Sequence, residues 1–80
     1  MKRIAFTATG GRQWTKLSPD VRSRIDKRLT EFAITGHGDV KRLKGREGMR
    51  LRVGDWRVIF YEDQETIVVA AAGHRRDIYD

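Results

Sequence analysis

Two clusters of basic residues are the parts of this chain whose types and spacing could do chemistry. Lys41, Arg42, Lys44, Arg46, Arg50, Arg52 and Arg57 are offset locally only by Glu47 and Asp55, and His74-Arg75-Arg76 follows near the C-terminus. Guanidinium groups present a planar fork that holds phosphate oxygens bidentately, so clustered arginines suit the binding of phosphate esters. Other chemistries lack their residues. There is no cysteine, which excludes disulfides, zinc ribbons and a thiol nucleophile. His37 and His74 stand alone and make no metal-ligand pattern, so no metal and no cofactor is expected.

The element that must position these cations is LKGREGMRLRVGDWRVIF, Leu43 to Phe60. Met49, Leu51 and Val53 alternate with Arg50 and Arg52, and Trp56, Val58 and Phe60 continue beyond Gly54-Asp55, which reads as a β-hairpin. Glycine at the first loop position suits a type II′ turn. That turn sets Val53 opposite Trp56, Arg52 opposite Arg57, Leu51 opposite Val58, Arg50 opposite Ile59 and Met49 opposite Phe60. Opposed residues share a face. One face is then apolar, while the other carries Arg50, Arg52 and Arg57 with Ile59 and Tyr61. A solvated outer face would account for basic strands in general. Arginine opposite arginine destabilises a ladder, which a fold does not need, and it points towards an anion site.

The 80 residues make one domain, 1–80, of which 39% are apolar. A chain of this size buries only about 60% of its unfolded surface, enough for a modest core. The net charge of +6 points to a polyanionic partner, and its clustering favours nucleic acid over a merely solubilising surface. MKRIAFTATG has too short an apolar run for a signal peptide, and nothing approaches the roughly 20 apolar residues of a membrane span. A soluble, cytoplasmic protein without a membrane partner is expected. No linker, repeat or low-complexity segment is visible.

In chain order, Lys2 to Thr7 alternates Ile4 and Phe6 with polar neighbours as a first strand. Trp14 and Leu17 have helical spacing, but Gly10-Gly11 disfavours a helix, so a short one is expected from near Gly11 with Thr9 as cap. Ser18, Pro19 and Asp20 then open a second helix, Val21, Ile25, Leu29 and Phe32 stripe it, and Gly36 ends it. Arg22, Arg24, Lys27 and Arg28 form its solvated side or add to the electrostatic footprint. Asp39 to Lys44 is a short extended segment with Val40 and Leu43 packing inward. Thr66 to Ala72, TIVVAAA, reads as a central strand covered on both faces. The result is an α+β domain: an N-terminal strand, a two-helix hairpin, then an antiparallel β-meander. The helices lie on one face of the sheet and leave the arginine face open.

LKGREGMRLRVGDWRVIF together with IVVAAAGHRRDIY resembles the RelE/ParE superfamily of toxins from type II toxin–antitoxin modules, most closely its RelE branch. The resemblance spans essentially the whole chain. It implies a RelE-like fold and a ribosome-dependent mRNA interferase, an endoribonuclease that cleaves messenger in the ribosomal A site and inhibits translation. It also implies ribosomal RNA as a contact, a cognate RelB-like antitoxin that silences the toxin, and operator DNA bound only by the toxin–antitoxin complex. By position, Arg57, Arg75 and Tyr79 match residues of the family's site, and Arg50 matches a basic residue near the reacting 2′-hydroxyl. Lys41, Lys44, Arg46, Arg52, Arg76 and His74 would bind RNA. The basic position two before Arg50 is Gly48 here, and the aromatic before Arg57 is Trp56 rather than tyrosine. The chain stops after Tyr79 and Asp80, without the C-terminal helix of some relatives.

Such cleavage needs a 2′-oxygen to lose its proton and attack the adjacent phosphate, while the leaving 5′-oxygen gains one. Arg57 and Arg75 would hold the non-bridging oxygens, and Arg50 would favour the 2′-oxyanion. Tyr79 would stack on a base or anchor the tail. Arginine stays charged throughout the physiological pH range and shuttles protons poorly. His74 is the one titrating group near the cluster, and it reads as structural more readily than catalytic. Two other readings stay open: a ParE-like inhibitor of DNA gyrase, which shares the fold without the cleavage residues, and a non-catalytic basic RNA-binding module.

Overall fold

In a computed structural model that describes residues 1–78, the helix expected after Ser18 begins there. The Ser18 hydroxyl accepts from the amide of Val21 at 3.3 Å, and Pro19 occupies the first turn of α2 (Pro19–Thr35). Gly36 closes the helix in the left-handed region, φ 76°, and donates its amide to the carbonyl of Phe32. Val21, Ile25, Leu29 and Ala33 are buried on one stripe, with Phe32 half-buried beside them.

Around it run β1 (Arg3–Phe6), α1 (Ala8–Lys16), β2 (Val40–Arg42), β3 (Met49–Val53), β4 (Trp56–Glu62) and β5 (Thr66–His74). The strands form one sheet in the order β1-β5-β4-β3-β2, antiparallel from β2 to β5, with β1 parallel to β5 at the edge. The hairpin has the expected register, Val53 opposite Trp56 through Met49 opposite Phe60, and Gly54 at φ 61° supports the tight turn. Leu51, Val53, Val58, Phe60, Ile67, Val69 and Ala72 face the helices and join their stripe in one core. Phe60 is wholly buried beneath Phe32, ring centroids 5.5 Å apart. Burying a side chain of that size stabilises by roughly 1.5–3 kcal/mol.

Three expectations are corrected. The first helix begins at Ala8, not near Gly11, and its cap is Thr7, whose hydroxyl accepts from the amide of Gly10 at 3.0 Å. Gly10 is needed because α1 crosses the backbone of β5 there: an added Cβ would stand 2.2 Å from the Val69 carbonyl oxygen. The tight crossing offsets the helical cost of the glycine. Secondly, β5 is interior but covered on one face only. Ile67, Val69 and Ala72 are buried while Val68, Ala70 and Ala71 are half-exposed. Ile59 pairs with Ala71 and Phe60 with Val69, so Ala70 is bulged and the strand's buried phase moves by one residue. Gln13 of α1 accepts the Ala72 amide at 2.9 Å, beyond the reach of β1. Thirdly, Val40 packs on the main core, but Leu43 is buried outside it. The alternation of β2 places Leu43 on the face of Lys41 and Arg50, opposite the helices.

Candidate functional site

The alternation of the strands gathers Lys41, Arg50, Arg52 and Arg57 on the face away from the helices. Lys41 lies directly opposite Arg50, and Arg50 opposite Ile59. Ile59 is 2% exposed although it faces away from the helices, and it forms a dry floor among the cations. A low-dielectric floor strengthens a charge interaction made above it.

Arg52, Arg57 and Arg75 are held by different groups. Arg52 Nε donates to Asp39 Oδ2 at 2.7 Å, which relieves the like charge facing it across the ladder. One terminal nitrogen of Arg57 donates to the carbonyls of Gly54 at 2.8 Å and Trp56 at 3.0 Å. Arg75 enters from beyond β5. Its amide donates to the Asp55 carbonyl at 2.8 Å and its Nε lies 3.8 Å from the Asp55 carboxylate. Both arginines are thus tied to one turn, Gly54-Asp55, at the end of the hairpin. Arg75 keeps 62% of its side chain exposed and open to a ligand.

The other predicted residues are placed differently. His74 shares the helix face with Trp56, its register partner, and the rings meet edge-on at 5.4 Å. Its Nδ1 accepts from the amide of Arg76 at 3.2 Å and lies 3.4 Å from the Arg76 Nε, so this pair braces the chain after β5. Lys44 and Arg46 are exposed in the loop before β3, at the far end of that strand from Arg57. At about 3.3 Å per residue the separation is roughly 15 Å. Tyr79 lies outside the described residues. Gly48, the position where a cation was expected, adopts φ 119°, and an added Cβ would stand 3.0 Å from Leu43 Cδ1 and 3.2 Å from Tyr61 Cε1. The backbone there requires glycine.

Asp39, Asp55 and the two turn carbonyls are the partners that sequence reasoning missed. Asp55 was legible only as a turn residue and a local negative charge, and Asp39 only as the start of a short extended segment. Among the described residues no group of three histidines or carboxylates could hold a metal ion. No described helix is long and apolar enough to cross a membrane.

A family model described as ParE toxin of type II toxin–antitoxin system, parDE, matches residues 4–79. The chain belongs to this toxin family. None of the curated proteins compared with the toxin matches it. Among solved structures, the toxin is similar to a chain of the RelB–RelE antitoxin–toxin complex from Methanococcus jannaschii, at 26% identity and a TM-score of 0.75 over 95% of each chain. The RelBE2 toxin–antitoxin complex from Mycobacterium tuberculosis gives 24% identity and a TM-score of 0.77, covering 92% of the toxin and 98% of that chain. The YoeB dimer from Staphylococcus aureus gives 17% and 0.76, over 91% and 95%. The two lower identities show the shared RelE-like fold.

Proposed function

We propose that this toxin is a ribosome-dependent mRNA interferase. Its substrate is messenger in the ribosomal A site, and ribosomal RNA contributes to its docking. The observation that carries the reading is the attachment of Arg57 and Arg75 to one turn beside an open cationic sheet face. The Arg57 fork, fixed by two main-chain carbonyls, and the Arg75 fork, anchored beside it through Asp55, present donors to one phosphate, an arrangement that stabilises a developing phosphorane charge. Arg50 sits further along the same face and acts on the 2′-oxyanion. Lys41, opposite Arg50, supplies the positive charge that Gly48 lacks. Arg52, Arg76, Lys44 and Arg46 bind phosphates around this centre, His74 supports it by holding Arg76, and Tyr79 stacks on a base. No metal enters the proposed reaction.

The cognate partner is a RelB-like antitoxin in the cytoplasm, whose amphipathic or acidic segment covers or displaces the arginine site. Operator DNA is bound by that complex and not by the toxin alone. Primer extension on a message in a translating extract tests the reading, comparing wild type with Arg57→Ala and Arg75→Ala. Cuts at ribosome-positioned sites that vanish in both variants are expected. Intact message would sink the proposal.

The ParE description of the matching family favours a second reading, inhibition of DNA gyrase. A supercoiling assay separates the two, because an interferase leaves gyrase untouched and a ParE-like toxin leaves messages whole.

A further inference from the structure

A sizeable cavity lies away from the arginine face. It is a groove of about 490 Å³ between α2 and β3, walled by Arg24, Lys27, Arg28 and Glu31 from the helix and by Asp39 and Arg52 at the sheet edge. Arg24, Lys27 and Arg28 are spaced i, i+3 and i+4, so one helical face presents all three. Like charges at that spacing destabilise a helix, and only Glu31, four residues after Lys27 and three after Arg28, offsets them. Among the described residues none of the three has an ion pair, while Asp39, one of the two carboxylates in the groove, is already held by Arg52. The groove also touches the turn that carries Arg57. A Cβ added to Gly54 would lie 3.2 Å from a terminal nitrogen of Arg24, so that guanidinium rests against the hairpin turn. The cations therefore continue from Arg57 and Arg75, past the turn, into Arg24, Lys27 and Arg28.

We propose that this groove binds the phosphodiester backbone of RNA and extends the contact beyond the arginine face. It deepens the interferase reading and rests on it only in that the ligand is RNA. The groove supplies affinity and direction and takes no part in bond cleavage. A polyanion fits because three unpaired cations outnumber the one unpaired carboxylate, Glu31, and are continuous with the proposed site. The phosphates come either from the flanking messenger or from ribosomal RNA, and the test separates them.

The test uses the full chain with Arg24→Gln, Lys27→Gln and Arg28→Gln combined. Glutamine keeps the helix propensity of these exposed positions, and circular dichroism checks the fold. Binding is measured over a series of KCl concentrations to a short unstructured RNA, and separately to vacant ribosomes. If the messenger is the ligand, affinity for the short RNA falls about tenfold and its log–log salt slope shrinks by about 2, roughly 0.7 for each lost contact. If ribosomal RNA is the ligand, binding to the short RNA stays and ribosome binding falls by a similar factor. Unchanged affinity and slope in both arms overturn the proposal. So does selective loss of binding to poly-glutamate with both RNA arms intact, which would assign the groove to an acidic protein segment. The cleavage assay is read separately. A wild type that cuts no message, beside a groove variant that loses RNA affinity, defeats the interferase reading and leaves the groove standing. Normal cutting with unaltered affinities does the reverse.

Discussion

Arg52 and Arg57 face each other across β3 and β4, and their guanidinium groups are drawn to different holders. Arg52 is bound by the Asp39 carboxylate, while Arg57 is bound by the carbonyls of Gly54 and Trp56. The distinction matters for function. A carboxylate neutralises the charge it holds, whereas carbonyls orient a guanidinium and leave its charge in place. Arg57 is therefore the better member of the pair to stabilise a developing anion, and Arg52, its charge offset by Asp39, contributes to phosphate contact more weakly.

Arg57→Ala should lower the single-turnover cleavage rate by about 10²–10³, the usual effect of removing one preorganised donor. Arg57→Lys should recover little of it, because an ammonium cannot reproduce the planar fork. Arg52→Ala should weaken RNA binding and leave the rate at saturating message within a few fold. Quenched-flow cleavage of a programmed ribosome reads all three. An Arg57→Lys variant with full activity would show that charge alone suffices.

Gly54 shapes the turn to which both arginines are tied, Arg57 through the Gly54 carbonyl and Arg75 through Asp55. Gly54→Ala puts a side chain at φ 61°, a strain of roughly 1–3 kcal/mol, and its Cβ also meets the flexible end of Arg24 at 3.2 Å. Denaturant midpoints should fall accordingly, and Gly54→Asn should cost less because asparagine tolerates the left-handed region. If Gly54→Ala is as stable as wild type, the turn does not have the conformation described.

Gly10 and Gly11 are neighbours in α1 with opposite requirements. Gly10→Ala would drive a methyl to 2.2 Å from the Val69 carbonyl oxygen, so overpacking of about 1–3 kcal/mol or more is expected. Gly11→Ala meets only Phe6 Cβ at an ordinary 3.7 Å. It should stabilise by up to about 1 kcal/mol through helix propensity and a less flexible unfolded chain. Urea unfolding of the two single variants decides it, and the same sign for both would contradict the close crossing of α1 over β5.

These glycines show what was legible in the sequence and what was not. Local chemistry announced itself: Ser18-Pro19 and Gly36 bounded α2, and Gly54-Asp55 set the register that gathers Arg50, Arg52 and Arg57. Long-range contacts did not. The need for Gly10 comes from β5, some 60 residues away, and the bulge at Ala70 comes from the fit of β5 between β4 and α1. His74 stands beside two arginines in the chain yet on the helix face, because the bulge moves the phase of the strand. Asp39 and Asp55 became visible as holders only once β2 and the end of β5 were packed beside the hairpin.

Asp63 gives a pH-dependent check on the sheet itself. Its carboxylate accepts from the amides of Glu65 and Thr66, both at 2.8 Å, and so stitches the turn from β4 to β5. These two bonds, the Glu65 amide first, hold its pKa below the ordinary 3.8, with Lys2 and Arg3 adding a smaller pull the same way. A group whose folded pKa is depressed stabilises the fold above its unfolded value, and that contribution is lost as pH falls through the folded value. In Asp63→Asn the amide oxygen can accept the same bonds at every pH. The stability difference between wild type and Asp63→Asn should therefore be constant above roughly pH 5 and shift against wild type as pH drops below the ordinary carboxylate range. Urea midpoints of both proteins down to acid pH measure it, with a carboxyl carbon NMR titration of Asp63 alongside. A difference that stays flat throughout, or a carboxyl titrating at its ordinary value, would show that the amide bonds do not hold the charged form.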